Sequence, residues 1–242
     1  MCTVTFLPLG DTGFMLTSNR DEQHSRQPAL PPQWHLAGGV PVVFPKDAQA
    51  GGTWIATSGS VTVCLLNGAL EAHRPKPPYR RSRGLMVLDF FGYESEKAFI
   101  EHYDFTGIEP FTMLIVNHHG TLSLTELRHT EAGELCIDSR NAGQPHIWSS
   151  ATLYEPPVCR ERERWFAAWL ADQKNNRLDG ILDFHRFGGT GSEGNDLIMC
   201  RDTVSTVSIA SVLHHQDDGT EFWYQDLKSH CMNSLKIEPA NA

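Results

Sequence analysis

Cys2, one residue after the initiator Met1, and the run Ser18-Asn19-Arg20-Asp21-Glu22 are the residues whose types and spacing best suit covalent chemistry. A small second residue allows Met1 to be removed, so Cys2 is expected to carry both a thiol and a free α-amine. An α-amine titrates near about 7.7–8.0, close to where a base for a thiol should lie, so nucleophile and base can be one residue. A guanidinium beside the sulfur would favour its thiolate, and Arg20 is the expected source.

The elements that must position these groups are legible around them. The stretch TVTFLPL alternates, DTG marks a turn, and FMLTSNR resumes the alternation, which predicts a strand, a hairpin around Asp11 to Gly13, and a second strand. Such a hairpin returns Arg20 and Asp21 to the sheet end where Cys2 begins. The blander reading is a solvated loop in which Arg20, Asp21 and Glu22 form local ion pairs of small energetic value.

An N-terminal Met-Cys-Thr followed by SNRDE resembles the NRDE family, also called Transport and Golgi organisation 2. Further blocks carry the resemblance through most of the chain: GGTW (Gly51 to Trp54), VTVCLLN ending at Asn67, RRSRGLMVLDFF (Arg80 to Phe91), PHIWSSATLY (Pro145 to Tyr154) and TVSI (Thr206 to Ile209). The resemblance implies an α+β fold similar to the N-terminal nucleophile hydrolases, a four-layer αββα sandwich of two antiparallel sheets, formed as a single domain over residues 1–242. By the same analogy Cys2 would be nucleophile and base, Arg20 and Asp21 would position it, and Asn67 would donate to the oxyanion. Asn19, Trp54, Ser149, Ser150 and Arg201 are the expected substrate-binding residues. Where such hydrolases carry a second Asn this chain offers Ser149 or Ser150. Ser205 stands where a late Arg is expected, with Arg201 four residues earlier.

Two function classes follow. One is a hydrolase-like enzyme acting on a non-peptide amide or acyl bond, with no cofactor required. The other is a non-catalytic cytosolic protein that binds and moves haem, lipid or acyl-CoA, as the resemblance permits, with haem as its ligand or cofactor. Both take a small-molecule partner; the sequence leaves the oligomeric state open.

Composition narrows the field. With 242 residues, 40% apolar and 20% charged, the chain can bury a substantial core without disulfides or metals. Its net charge of −9 disfavours non-specific binding to nucleic acid or anionic membrane. Cys2, Cys64, Cys136, Cys159, Cys200 and Cys231 are scattered, which reads as reduced, mostly buried thiols in a cytoplasmic protein. No signal peptide and no run of about 18 apolar residues is visible, so no transmembrane segment is expected.

Residues 23–46, rich in Pro and Gly, are expected to wrap over the surface or a pocket. His73, Arg74, Lys76, Arg80, Arg81 and Arg83 form a basic cluster that either binds an anion or is a solvated loop, and it leads to a helix capped by Ser82. Ser95 to Tyr103 predicts a second helix, and TMLIVNHHGTLSLTELR a strand hairpin. In the helix from Pro157 to Ala171, Val158, Trp165, Phe166, Trp169 and Leu170 are placed opposite Arg160, Glu161, Arg162 and Glu163. A helix over Asp179 to His185 follows. The match of GTGSEG (Gly189 to Gly194) to a dinucleotide fingerprint lacks the strand and helix that would give it meaning, and reads as a flexible loop or lid. The pairs His118/His119 and His214/His215 read as turn histidines, with no metal-ligand spacing.

Overall fold

Alternating apolar residues fold into two antiparallel sheets in the computed structural model, which describes residues 3–172 and 177–237. In chain order the elements are β1 (Thr3–Leu9), β2 (Gly13–Gln23), β3 (Leu30–Ala37), β4 (Val40–Lys46), β5 (Ile55–Thr57), β6 (Val61–Asn67), α1 (Arg83–Phe90), α2 (Glu96–His102), β7 (Phe111–Asn117), β8 (Ser123–His129), β9 (Leu135–Arg140), β10 (His146–Ser149), α3 (Pro156–Asp172), α4 (Leu178–Phe187), β11 (Val204–His215), β12 (Gly219–Asp226) and β13 (Met232–Ile237). The first sheet runs β10-β1-β2-β11-β12-β13, and the second runs β3 to β9 in sequence order.

The first sheet draws on three separate parts of the chain. Its β11 lies beside β2, with Ser211 opposite Thr17, so the last strands are integral to it. Side-chain alternation gives this sheet two dry faces. Val4, Phe6, Phe14 and Leu16 join the core that also holds Val43, Ile55, Cys64 and Leu114 of the second sheet. On the opposite face Leu7 and Met15 pack with Phe166 of α3 and Ile181 and Phe184 of α4.

On the outside of the second sheet, Ser82 and Ser95 cap α1 and α2 by accepting from the Leu85 and Ala98 N–H groups. Met86, Val87 and Phe90 are the buried residues of α1. An aromatic chain from Phe90 through Phe99 and Phe105 to Phe111, with centroids 5.1, 5.5 and 6.0 Å apart, ties these helices to β7. The four layers are thus α1 and α2, the second sheet, the first sheet, and α3 and α4.

Four expectations are corrected. Within the stretch 23–46, expected to wrap over the surface or a pocket, residues 30–46 are a regular β-hairpin of the second sheet, and Gly38 at φ +58° supplies its turn. Arg162 faces inward: it lies one turn before Phe166 on α3 and is fully buried. His118 and His214 leave their turns to meet inside the sandwich, with ring centroids 4.3 Å apart and Phe14 beside both. Finally, the thiols are not mostly interior: Cys64 is buried, but Cys200 and Cys231 lie exposed at loop and turn positions, and all the described cysteines are free.

The buried histidines make stability pH-dependent. Burial pushes His118 and His185 down to about 3 from an ordinary 6.5. The unfolded chain therefore takes up protons below pH 6.5 that the native protein refuses until about pH 3, so stability is complete above that window and falls as pH drops through it. The two groups together are expected to remove roughly 4 kcal/mol between pH 7.5 and 5. Urea unfolding at the two pH values measures this, and a flat profile would contradict it.

Candidate active-site cleft

Pleat alternation sends neighbouring residues of the SNRDE run to opposite faces of the first sheet. Arg20 points between the sheets, where its guanidinium stacks 4.5 Å over Trp54 and its Nη2 donates to Asp47 Oδ2 at 2.6 Å and Glu22 Oε2 at 3.3 Å. Burial alone would raise the Asp47 carboxyl, but the Ala50 N–H and the Arg26 and Arg20 guanidinium groups outweigh it and hold the acid below the usual carboxylate range. Arg26 adds Nε to Oδ2 and Nη2 to Oδ1 contacts, both at 3.1 Å.

Asp21 and Asn19 face α3 and α4 instead. Asp21 accepts from the Tyr154 hydroxyl at 2.7 Å and the Thr206 hydroxyl at 2.6 Å. Asn19 donates to the carbonyls of His185 and Leu197, which leaves its Oδ1 to accept from His185 Nδ1 at 2.7 Å. With Nδ1 donating, His185 Nε2 accepts from the Thr5 hydroxyl, and the imidazole is neutral. These two residues of the run brace the sheet from behind and do not line the cleft beside Arg20.

That cleft, of about 350 Å³, opens between the sheets and includes Arg20, Asp47, Trp54, Asn67, Tyr79 and Arg83 in its wall. Asn67 ends β6, and its main chain is fixed there: Ser150 Oγ donates to the Asn67 carbonyl at 2.8 Å, and Thr112 Oγ1 donates to the Gly68 carbonyl at 2.9 Å. Among the described residues no hydrogen bond uses the Asn67 carboxamide. The indole Nε1 of buried Trp54 also has no hydrogen-bond partner. Asn67 and Trp54, each with an unspent polar group, thus line the same cleft as Arg20.

A close backbone approach shapes this wall. Thr53 N–H donates to the Gly84 carbonyl at 3.1 Å, holding the GGTW turn against the first turn of α1. A β-carbon on Gly52 would fall well inside contact distance of the Gly84 main chain. Gly52→Ala is therefore expected to cost about 1–3 kcal/mol by forcing the turn and helix apart. A thermal melt of the variant that matches the parent would refute this reading.

The remaining predicted residues separate. Ser150 supports Asn67 through the main chain, whereas Ser149 lies opposite Thr3 and lines another cavity on the α3 side. Arg201 donates to the carbonyls of Gly194 and Leu153 and sits 5.2 Å from the Tyr154 ring, which Arg162 covers at 3.6 Å. Cys2 lies outside the described residues. Thr3, the first described residue, pairs with both Asn19 and Ser149 and so fixes the start of β1 at this end of the sheet. The GTGSEG segment is a loop as expected, but an anchored one: Asp196 accepts from the Thr190 and Gly191 N–H groups at 2.9 Å, and Arg201 holds the Gly194 carbonyl.

The basic cluster is mostly paired. Arg80 meets Asp104, Arg81 meets Asp89, Arg83 meets Glu109 at 2.9 Å, His73 meets the same Glu109 at 3.0 Å, and Lys76 meets Glu131. Sequence reasoning missed Asp47, Tyr154 and Thr206. The turn residues before GGTW were the signal for Asp47, whose Oδ1 accepts from the Gln49 and Ala50 N–H groups. Nothing in spacing pointed to Tyr154 or Thr206.

Fold and site together define a two-sheet α+β sandwich with an arginine-centred cleft at the end of its N-terminal strand. The chain belongs to the Transport and Golgi organisation 2 family, which it matches over residues 1–188. No curated protein matches it. Among the described residues no helix is long and apolar enough to cross a membrane, and no group of three or more His, Cys, Asp and Glu is placed to hold a metal.

Proposed function

We propose that this chain is an N-terminal-cysteine hydrolase, similar in fold to the N-terminal nucleophile hydrolases, that acts on a non-peptide amide or acyl bond. The observation that carries the reading is the unspent Asn67 carboxamide, which shares a cleft with Arg20 at the sheet end where Thr3 pairs with Asn19. Cys2 immediately precedes Thr3 in the sequence. In the proposed reaction the Cys2 α-amine takes the thiol proton and the sulfur adds to the carbonyl carbon. Asn67 Nδ2–H donates to the oxygen that becomes negative. As the tetrahedral adduct collapses, the α-ammonium gives its proton to the leaving amine or alcohol. Water then attacks the thioester, its proton passing to the same α-amine, and the acid departs as the thiol is restored.

Arg20, fixed between Trp54 and Asp47, places a cation toward this end of the cleft and favours the thiolate. Cys64 is no rival, because burial pushes its thiol up to about 12. Free thiols suit a reducing compartment, so the proposed setting is the cytoplasm. The test is intact mass followed by a thiol-directed acyl probe and peptide mapping. The reading requires loss of Met1 and labelling at Cys2 that stops when the α-amine is blocked; retained Met1, or equal labelling of Cys159, would overturn it.

A specific observation favours a second reading, a non-catalytic carrier of haem, lipid or acyl-CoA. Ser150 and Arg201, which stand near the positions of the second Asn and the late Arg of such hydrolases, are spent on main-chain carbonyls. Saturable binding of hemin or acyl-CoA, with no acyl-enzyme formed, would decide for the carrier.

A further inference from the structure

A second cleft, of about 570 Å³, lies on the far side of Tyr79 from the first and is lined in part by His73, Arg74, Lys76, Tyr103, Phe105 and His129. Tyr79 borders both cavities, and its hydroxyl accepts from the Lys76 N–H at 2.6 Å, so the proline-rich strap from His73 to Tyr79 is folded back on itself as a partition. Pro75, Pro77 and Pro78 stiffen this strap, which lowers the entropy lost when a ligand contacts it.

The cleft's charges nearly cancel. Lys76 is paired with Glu131, and Arg80 is paired with Asp104, both acids lining the cleft. Arg74 remains: among the described residues it makes no ion pair and no hydrogen bond, and its side chain is exposed. One cation is therefore uncommitted. A multiply charged anion would also have to approach Asp104 and Glu131, whereas a single negative charge is matched by Arg74 alone.

The polar groups deeper in the wall are histidines. The His73 side chain is 3% exposed; Glu109 holds its Nε2 at 3.0 Å, while its Nδ1 has no partner. His129 is 5% exposed, also with an unpartnered Nδ1. Its ring forms a triangle with those of Phe105 and Phe111, centroids 6.0 and 5.5 Å away, so the imidazole is part of an aromatic cluster. Buried ring nitrogens without partners are costly to leave unmade and are natural contacts for a ligand.

We infer that this second cleft is a binding site for a small planar aromatic monoanion, an aromatic carboxylate in its simplest form. Arg74 meets the charge, the ring lies along Phe105 and Tyr103, and His73 and His129 supply polar contacts. The site is independent of the chemistry proposed for Cys2. The probe is benzoate, with benzamide as its neutral isostere, titrated calorimetrically into the full chain. Benzoate is expected to bind saturably at millimolar concentration, and benzamide at least about tenfold more weakly. Arg74→Gln, an exposed change that leaves folding intact, should weaken benzoate by about tenfold, and His129→Phe should weaken it further. Asn67→Ala, in the first cleft, should leave it unchanged. Absence of saturable heat, equal affinity for benzamide, or loss through Asn67→Ala instead of Arg74→Gln would each overturn the site.

Discussion

Replacing Asn67 with Ala is expected to slow formation of the Cys2 acyl-enzyme by about a hundredfold to a thousandfold, the usual cost of losing one oxyanion donor. The fold should be nearly unaffected, because the Ser150 hydroxyl and the β6–β7 ladder hold Asn67 through its main chain, which Ala retains. Loss of rate without loss of stability is thus the signature of a donor that acts only on the developing charge. Acylation rates with an activated ester, read beside a urea melt, separate the two. An Asn67→Ala variant that acylates at the parent rate would remove Asn67 from the mechanism and leave the carrier reading in possession of the cleft.

Arg162→Met is expected to be among the most destabilising single changes in the protein. The buried guanidinium donates to Thr3 Oγ1 at 2.6 Å, to the Asn195 carbonyl at 3.1 and 2.9 Å and to the Asp196 carbonyl at 2.7 Å. It also packs 3.6 Å from the centre of the Tyr154 ring, whose hydroxyl reaches Asp21. Methionine fills much of the volume but orphans two carbonyls and a hydroxyl, a loss of about 3–5 kcal/mol. Lysine should recover little, since one ammonium cannot span acceptors spread across a planar fork. Urea unfolding of both variants measures the effect, and a cost below about 1 kcal/mol for the methionine variant would show that the network is dispensable.

How much of this was legible depended on whether the relevant partner lay close in sequence. The β1–β2 hairpin and both serine caps could be read directly, because alternation, a turn and an N-cap are local signals. The β3–β4 hairpin was hidden by Pro31, Pro32, Pro41 and Pro45. These are tolerated because β3 is an edge strand and β5 covers β4 in register only at Val43. Helical spacing does put Arg162 one turn before Phe166, but charge argued for the outside, and its acceptors are Thr3 of β1 and the carbonyls of a loop more than thirty residues away. Likewise, SNRDE announced a site without disclosing that strand geometry would divide its members, with Arg20 facing the cleft and Asn19 and Asp21 serving the layer behind.

The two sheets differ in how their strands are drawn from the chain, and this bears on synthesis. Strands β3 to β9 are sequential neighbours, so each finds its partner soon after it leaves the ribosome. The β1–β2 hairpin leaves the ribosome long before β11, since Thr17 and Ser211, whose hydroxyls meet at 2.8 Å, are 194 residues apart. Nascent chains arrested at residue 188, where the family match ends, would therefore present β2 as a naked edge. Such intermediates should be held by chaperones and cut by proteases until β11, β12 and β13 emerge.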